Sequence, residues 1–311
     1  MAVGDAHGAF DTYVSILREA GLIDQRRRWA GGKSVMVQTG DAVDRGDDSR
    51  KILDLVRQLE NDAARAGGRV IFLLGNHEVM RLIGDLRYVS DREYAAFRDS
   101  QSSDLRDRLY ATVSERAKNE ATAAGKPFDD REYRAQFMKD VPLGRVEMQR
   151  AFLPAGAYGK WLREHDVMAR INGVLFLHGG ISPVVAARGC DAMVAAARKE
   201  LEATEPPASP EQLLITSPDG PLWYRGLVDG SIGPAEVEGV LKAIDATAIV
   251  VGHTVTETRR ITPHFDGKVI AIDTGMLDGT FFPNGQPSAL EIKDGTMTAI
   301  YIGKREPITV K

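Results

Sequence analysis

Short apolar runs recur along the chain, and each is cut off by glycine and a polar cluster. They are "SVMVQTGD" (34–41), "RVIFLLGNHE" (69–78), "VLFLHGG" (174–180), "AIVVGHT" (248–254) and "VIAIDTG" (269–275). Their length and their β-branched and apolar content predict strands. Near-continuous apolarity predicts burial on both faces of the sheet. A sixth strand, ending at Ala2 and Val3, has almost no beginning and runs straight into "GDAHG". Between the first strands, "FDTYVSILREAGL" (10–22) and "DSRKILDLVRQLENDAARAGG" (48–68) place apolar residues at helical spacing and close at glycine. Alternating strands and helices predict an α/β fold.

The pattern changes after "GNHE". From Arg81 to Glu164 the chain is rich in charge, Ala, Tyr, Leu and Met, and offers no strand. This reads as a helical cap inserted into a single catalytic domain spanning 1–311. Glu202 to Pro221 is Pro-rich and polar, and reads as a loop. Ser288 to Tyr301 alternates around "KDG" and predicts a β-hairpin.

Composition narrows the class. The 311 residues are 43% hydrophobic and 27% charged, enough apolar material for a sizeable core. A net charge of −4 gives no electrostatic case for nucleic acid or an anionic membrane. No apolar run reaches the length of a membrane span. The single cysteine, Cys190, excludes an internal disulfide and argues against a thiolate metal site. A secretion leader removed before residue 1 would leave no trace, so the expected location is the cytoplasm, or the periplasm if such a leader existed.

Every strong strand ends in a metal-ligating residue type: Asp5 and His7, then Asp41, then Asn76 and His77, then His178, then His253, with Asp273 after the strand at 269–272. In an open α/β sheet ligands bind beyond the carboxyl ends of the strands, so residues distant in sequence can converge there. Taken singly, each has an ordinary reading as turn chemistry or a structural histidine. As a set, these mixed N and O donors without sulfur suit Mn, Fe or Zn better than Ca. They are too many for one catalytic ion with open positions, and fit two. Asp273 also ends a strand, but is read as a supporting residue. His165 reads as structural, and His264 as a loop residue with the rim of the site as its alternative.

"GDAHG", "GDAVDRG", "GNHE", "HGG" and "GHT", in this order, resemble the calcineurin-type metallophosphoesterases. The long second and third motifs resemble the phosphoprotein-phosphatase branch. "GDLRYVS" (84–90) and "GPLWYRG" (220–226) most resemble its Shewanella-like phosphatases. The resemblance spans Gly4 to Thr254 and implies an αββα sandwich, two central mixed sheets flanked by helices. It implies that Asp5, His7 and Asp41 hold one metal ion, and that Asp41, Asn76, His178 and His253 hold a second. Mn is the expected ion, with Fe or Zn as alternatives. His77 would be the general acid, oriented by Asp44. Arg45 and Arg225 would bind phosphate together with Asn76, with Arg87 and Tyr88 reaching the substrate from the cap; Arg81 and Asp85 are read as either substrate contacts or local ion pairs.

Many metallophosphoesterases have a further histidine where this chain has Val255, a departure that agrees with the phosphoprotein-phosphatase branch. The implied reaction is hydrolysis of a phosphomonoester, on a phosphopeptide or a small metabolite, by a hydroxide held between two metals. A dinucleoside polyphosphate hydrolase is the alternative enzyme, and a silent phospho-ligand-binding scaffold the third reading. Oligomeric state is not legible in the residues.

Overall fold

A computed structural model describes residues 1–203 and 213–309. The elements run β1 (Ala2–Val3), α1 (Phe10–Glu19), β2 (Val35–Gln38), α2 (Ser49–Arg65), β3 (Arg69–Phe72), α3 (Asn76–Ile83), α4 (Asp91–Ala95), α5 (Ser102–Ala123), α6 (Asp130–Asp140), α7 (Arg145–Phe152), α8 (Ala157–Arg163), β4 (Met168–Ile171), β5 (Val174–Leu177), α9 (Pro183–Ala186), α10 (Cys190–Glu202), α11 (Pro234–Ala243), β6 (Ala248–Val251), β7 (Thr262–His264), β8 (Val269–Ala271), β9 (Ser288–Lys293), β10 (Thr296–Tyr301) and β11 (Lys304–Pro307).

They build two mixed sheets, ordered β11-β10-β9-β1-β2-β3 and β4-β5-β6-β8-β7. The two-residue β1 lies in the middle of the first sheet. Ala2 pairs with Val37 on its parallel side and with Leu290 on its antiparallel side. Gln38 then bonds the carbonyls of Gly4 and Gly40, tying the two strand exits together.

The period-2 alternation of strands sorts the apolar residues into layers. Ala2, Val37, Val174, Phe176, Ala248, Val250, Ile270 and Leu290 face inward and form the core between the sheets. Val3, Met36, Leu175, Leu177, Ile249 and Val251 face outward into a second core with the flanking helices, including Tyr13 and Leu17 of α1, Ile52 and Val56 of α2, Met193 of α10 and Val240 of α11. Each such side chain contributes about 1.5–3 kcal/mol on full burial. Double coverage explains why β5 and β6 are buried at every position.

The structure corrects two readings. β3 is an edge strand, so Arg69 is exposed and Ile71 half-buried, and its apolar run does not mean burial on both faces. His264 lies in strand β7, not in a loop, and pairs with Val269 at the start of β8. It therefore sits at the end of the sheet opposite Asp273 and does not rim the site. The expected loop at 202–221 begins inside α10, which runs to Glu202; residues 204–212 of it lie outside the described residues, and 213–221 form turns. From 81 to 164 the described chain is helical, comprising the end of α3 and all of α4 to α8. Among the described residues no helix is long and apolar enough to cross a membrane.

Candidate metal centre and active site

The loops that leave β1, β2, β3, β5 and β6 meet at one end of the two sheets. Their backbones are held under constraint. His7, Asp41, Asp44, Arg45 and His253 all have positive φ, an uncommon state for residues with a Cβ. Such conformations persist where surrounding contacts over-determine them, and they concentrate at functional sites. The contacts are visible. Glu78, fully buried, accepts the N–H groups of Asp41, Ala42, Val43 and Gly75, clamping the β2 and β3 exits together. Asp5 accepts the N–H of His253 at 3.0 and 3.1 Å, joining the two sheets. Asp41 Oδ1 accepts the N–H of His77. The glycines of "GNHE" and "GHT" make room for these carboxylates. A Cβ on Gly75 would lie 2.2 Å from Asp41 Oδ1, and one on Gly252 2.3 Å from Asp5 Oδ1.

The free oxygen of Asp41 is the centre of the arrangement. Oδ2 lies 3.2 Å from His178 Nε2, 3.6 Å from His7 Nε2 and 3.9 Å from His77 Nε2. His178 donates from Nδ1 to Thr39 O at 2.9 Å, which leaves a lone pair on Nε2. That lone pair faces Asn76 Oδ1 at 2.9 Å, Asp41 Oδ2, and His253 Nδ1 at 3.1 Å. His7 is held in the same way, with Nδ1 on Val43 O at 3.0 Å, so that Nε2 points at Asp41 and Asp5. Burial first, with Arg45 beside His7 and Arg225 beside His253, lowers His7 to about 3 and His253 to about 2, so both rings stay neutral, as ligands must. Asp5 is raised well above the usual carboxylate range by burial and by Asp273 and Asp41 beside it. Asp41 Oδ2, Asn76 Oδ1 and Nε2 of His7 and His178 are buried acceptors crowded together, the kind of set a divalent cation satisfies. The donor set therefore fits a metal centre.

Two groups of ligating atoms share Asp41. One is Asp41, His178 and His253, and the other Asp41, His7 and His77. The expectation for the second was Asp5 rather than His77. His77 already donates toward Asp44 Oδ2 at 2.7 Å through Nδ1, and its Nε2 lies 3.3 Å from the Arg45 guanidinium, a poor neighbour for a metal cation. Asp5, with an oxygen 4.0 Å from His7 Nε2, is the better third member of that group.

The arginines occupy different settings. Arg45 is half-buried over the rings of Tyr88 and Phe282, at 5.4 and 5.0 Å, with the exposed Phe281 at 5.9 Å. Its backbone N–H donates to Tyr88 O. Arg225 donates to His253 O at 2.9 Å and to Thr254 Oγ1 at 3.2 Å, which anchors it beside the β6 loop. Tyr88 also packs on His77, with ring centroids 5.0 Å apart. Arg87 is exposed and paired with Asp85. Arg81 is buried between Asp44 and Glu93, an ion-pair role rather than a substrate contact. His165 bonds Trp161 O and Glu60, the expected structural part. Sequence reading missed Glu78 as a clamp, Glu93, and Phe281 and Phe282. Phe282 stacks on His7, and the only signal for the pair was two aromatics in the otherwise polar "DGTFFPNG".

Comparison with known proteins agrees with this geometry. The profile of the calcineurin-like phosphoesterases matches residues 1–257. An uncharacterized protein of Schizosaccharomyces pombe is 31% identical, over 97% of this chain and 81% of its own. Shewanella-like protein phosphatase 2 of Arabidopsis thaliana is 28% identical, over 94% of this chain and 74% of its own. Among solved structures, the cold-active protein-tyrosine phosphatase of a psychrophilic Shewanella species superposes with a TM-score of 0.71 at 29% identity, covering 99% of this chain and 79% of that one. The chain belongs to the calcineurin-like phosphoesterase family.

Proposed function

We propose that this metal-dependent phosphatase hydrolyses phosphomonoesters, with phosphotyrosine in proteins as its preferred substrate class. The observation that carries the reading is Asp41 Oδ2, placed among His7, His77 and His178, where one carboxylate would be shared by two ions. Asp5, His7 and Asp41 would hold one divalent ion, and Asp41, Asn76, His178 and His253 the other, with Mn the expected metal. Bound there, the ions would supply Lewis acidity and lower the pKa of water toward neutrality.

The chain's own residues do the rest. His77 is buried, which lowers its pKa, but Asp41 and Asp44 outweigh burial and raise it. A protonated His77 Nε2 beside Arg45 Nη2 makes two donors that lack an acceptor between them, and a phosphate oxygen supplies one. His77 can then give its proton to the leaving oxygen, while Asp44 fixes the ring through Nδ1. Arg225, tied to the β6 loop, offers a second guanidinium for the equatorial oxygens. Tyr88 and Phe281, both exposed at the mouth, suit an aromatic leaving group, and the Shewanella neighbour is named a protein-tyrosine phosphatase. Profiling the metal-loaded protein against phosphotyrosine and phosphoserine peptides, bis-nitrophenyl phosphate and diadenosine tetraphosphate tests this. Faster turnover of the phosphotyrosine peptide is expected, and faster turnover of the dinucleotide would replace the reading.

A further inference from the structure

We propose that Arg81 and Glu93 are positioning residues that lock Asp44, and through it His77, so that the first helix of the cap governs proton delivery to the leaving group. The proposal rests on the reading of His77 as the general acid.

Asp44 cannot be placed by regular structure. It sits in a loop with φ of 71°, held by its own N–H on Ser49 Oγ. Its carboxylate is fully buried and is divided between two partners. Oδ2 meets His77 Nδ1 at 2.7 Å, and Oδ1 meets Arg81 Nε at 2.5 Å. Arg81 is one helical turn beyond His77 on α3, so both side chains leave the same face. With one oxygen pinned by Arg81, the carboxylate plane is fixed, and the other oxygen can address only His77.

Arg81 is itself fixed from the cap. Its Nη2 pairs with Glu93 Oε2 of α4, its Nη1 lies 3.3 Å from Met148 Sδ, and Phe152 of α7 covers the guanidinium at 5.3 Å. Arg81 and Glu93 are 3% and 2% exposed, which excludes contact with substrate. Helix α4 is docked independently. Its N-cap Ser90 accepts from the N–H of Glu93 and donates to Asp47 in the same loop as Asp44. The line Glu93, Arg81, Asp44, His77 is therefore continuous, buried and made of charged hydrogen bonds. These have strict geometry, and small misplacement of a catalytic group is costly in rate.

A brace of this kind has a signature that loss of packing lacks. Proton donation matters for poor leaving groups and little for good ones, so the damage must depend on the leaving group. The experiment measures kcat, KM and metal content for phenyl phosphate and 2,4-dinitrophenyl phosphate in Glu93→Gln, Arg81→Lys, Arg81→Met and His77→Asn. Glu93→Gln is expected to lower kcat for phenyl phosphate roughly fivefold to tenfold and that for the dinitrophenyl ester less than about twofold, with KM and metal content unchanged. Arg81→Met should approach the His77→Asn value, and Arg81→Lys should fall between. If Arg81→Met does not fold, Glu93→Gln and Arg81→Lys carry the same comparison. In the His77→Asn background, Glu93→Gln should add less than about twofold, because both act on one step. Equal losses on both esters, no loss on either, or loss of metal would overturn the brace. If His77→Asn itself shows no leaving-group dependence, the acid assignment fails first and the brace falls with it.

Discussion

Nε2 of His178 lies 3.1 Å from Nδ1 of His253, with Asn76 Oδ1 at 2.9 Å from the same His178 nitrogen. Thr39 O already takes the Nδ1 proton of His178, so the Nε2 lone pair faces the carbonyl oxygen of Asn76 in a buried space. A cation resolves this, and its binding should stabilise the fold. Adding Mn to the chelated protein at about 100 times the dissociation constant should raise stability by about 2.7 kcal/mol. Scanning calorimetry reads this as a higher Tm, and an unchanged Tm would speak against the site. His253→Ala should weaken the metal more than about tenfold.

His77→Asn should leave both ions in place but slow hydrolysis of alkyl phosphates roughly 100-fold, and of nitrophenyl phosphate far less. Steady-state rates over a series of leaving groups check this. A uniform loss across the series would remove His77 from the acid role.

Arg225 should favour monoesters over diesters. A monoester dianion has three non-bridging oxygens, leaving one for a guanidinium after two are bound elsewhere. A diester has one oxygen fewer and a second ester group to accommodate. Arg225 is exposed, so leaving its charge unmatched costs up to about 1 kcal/mol, or roughly fivefold in rate. Arg225→Ala should therefore narrow the ratio of nitrophenyl phosphate to bis-nitrophenyl phosphate turnover. Equal loss on both esters would show that Arg225 does not read the charge.

Tyr88 and Arg87 are neighbours with opposite surroundings, and their substitutions should differ. Tyr88 packs on His77 and Arg45, whereas Arg87 is exposed and paired with Asp85. Tyr88→Ala should change the ranking of phosphotyrosine against phosphoserine peptides, and Arg87→Ala should leave it within about twofold, as for an exposed ion pair worth under about 1 kcal/mol. Competition assays with the two peptides measure both. A shift for Arg87→Ala alone would reverse the assignment.

The candidate metal ligands were legible because each follows its own strand by one to four residues, and strand ends are local signals. Convergence followed from the α/β rule that these ends share one face. Edge strands other than β3 were not legible. β7, "TPH", is three residues long and contains proline, and β11, "KREP", is charged and mostly exposed. Neither has the double burial that makes β5 and β6 read as apolar runs. Arg81 was ambiguous because its second partner, Glu93, lies twelve residues on, across the turn into α4, where no periodicity links them. Phe281 and Phe282 reach Arg45 from a loop more than two hundred residues away, and only tertiary structure brings such groups together.

Metal stoichiometry against activity tests the account most directly, because all of it turns on Asp41 serving two ions. Chelated protein titrated with Mn, with bound metal read by elemental analysis, should reach full activity at two ions per chain. Asp41→Asn should lose occupancy at both positions and at least about 100-fold in rate. Full activity at one ion per chain, or an Asp41→Asn protein that keeps its metal and its rate, would contradict the shared-carboxylate centre.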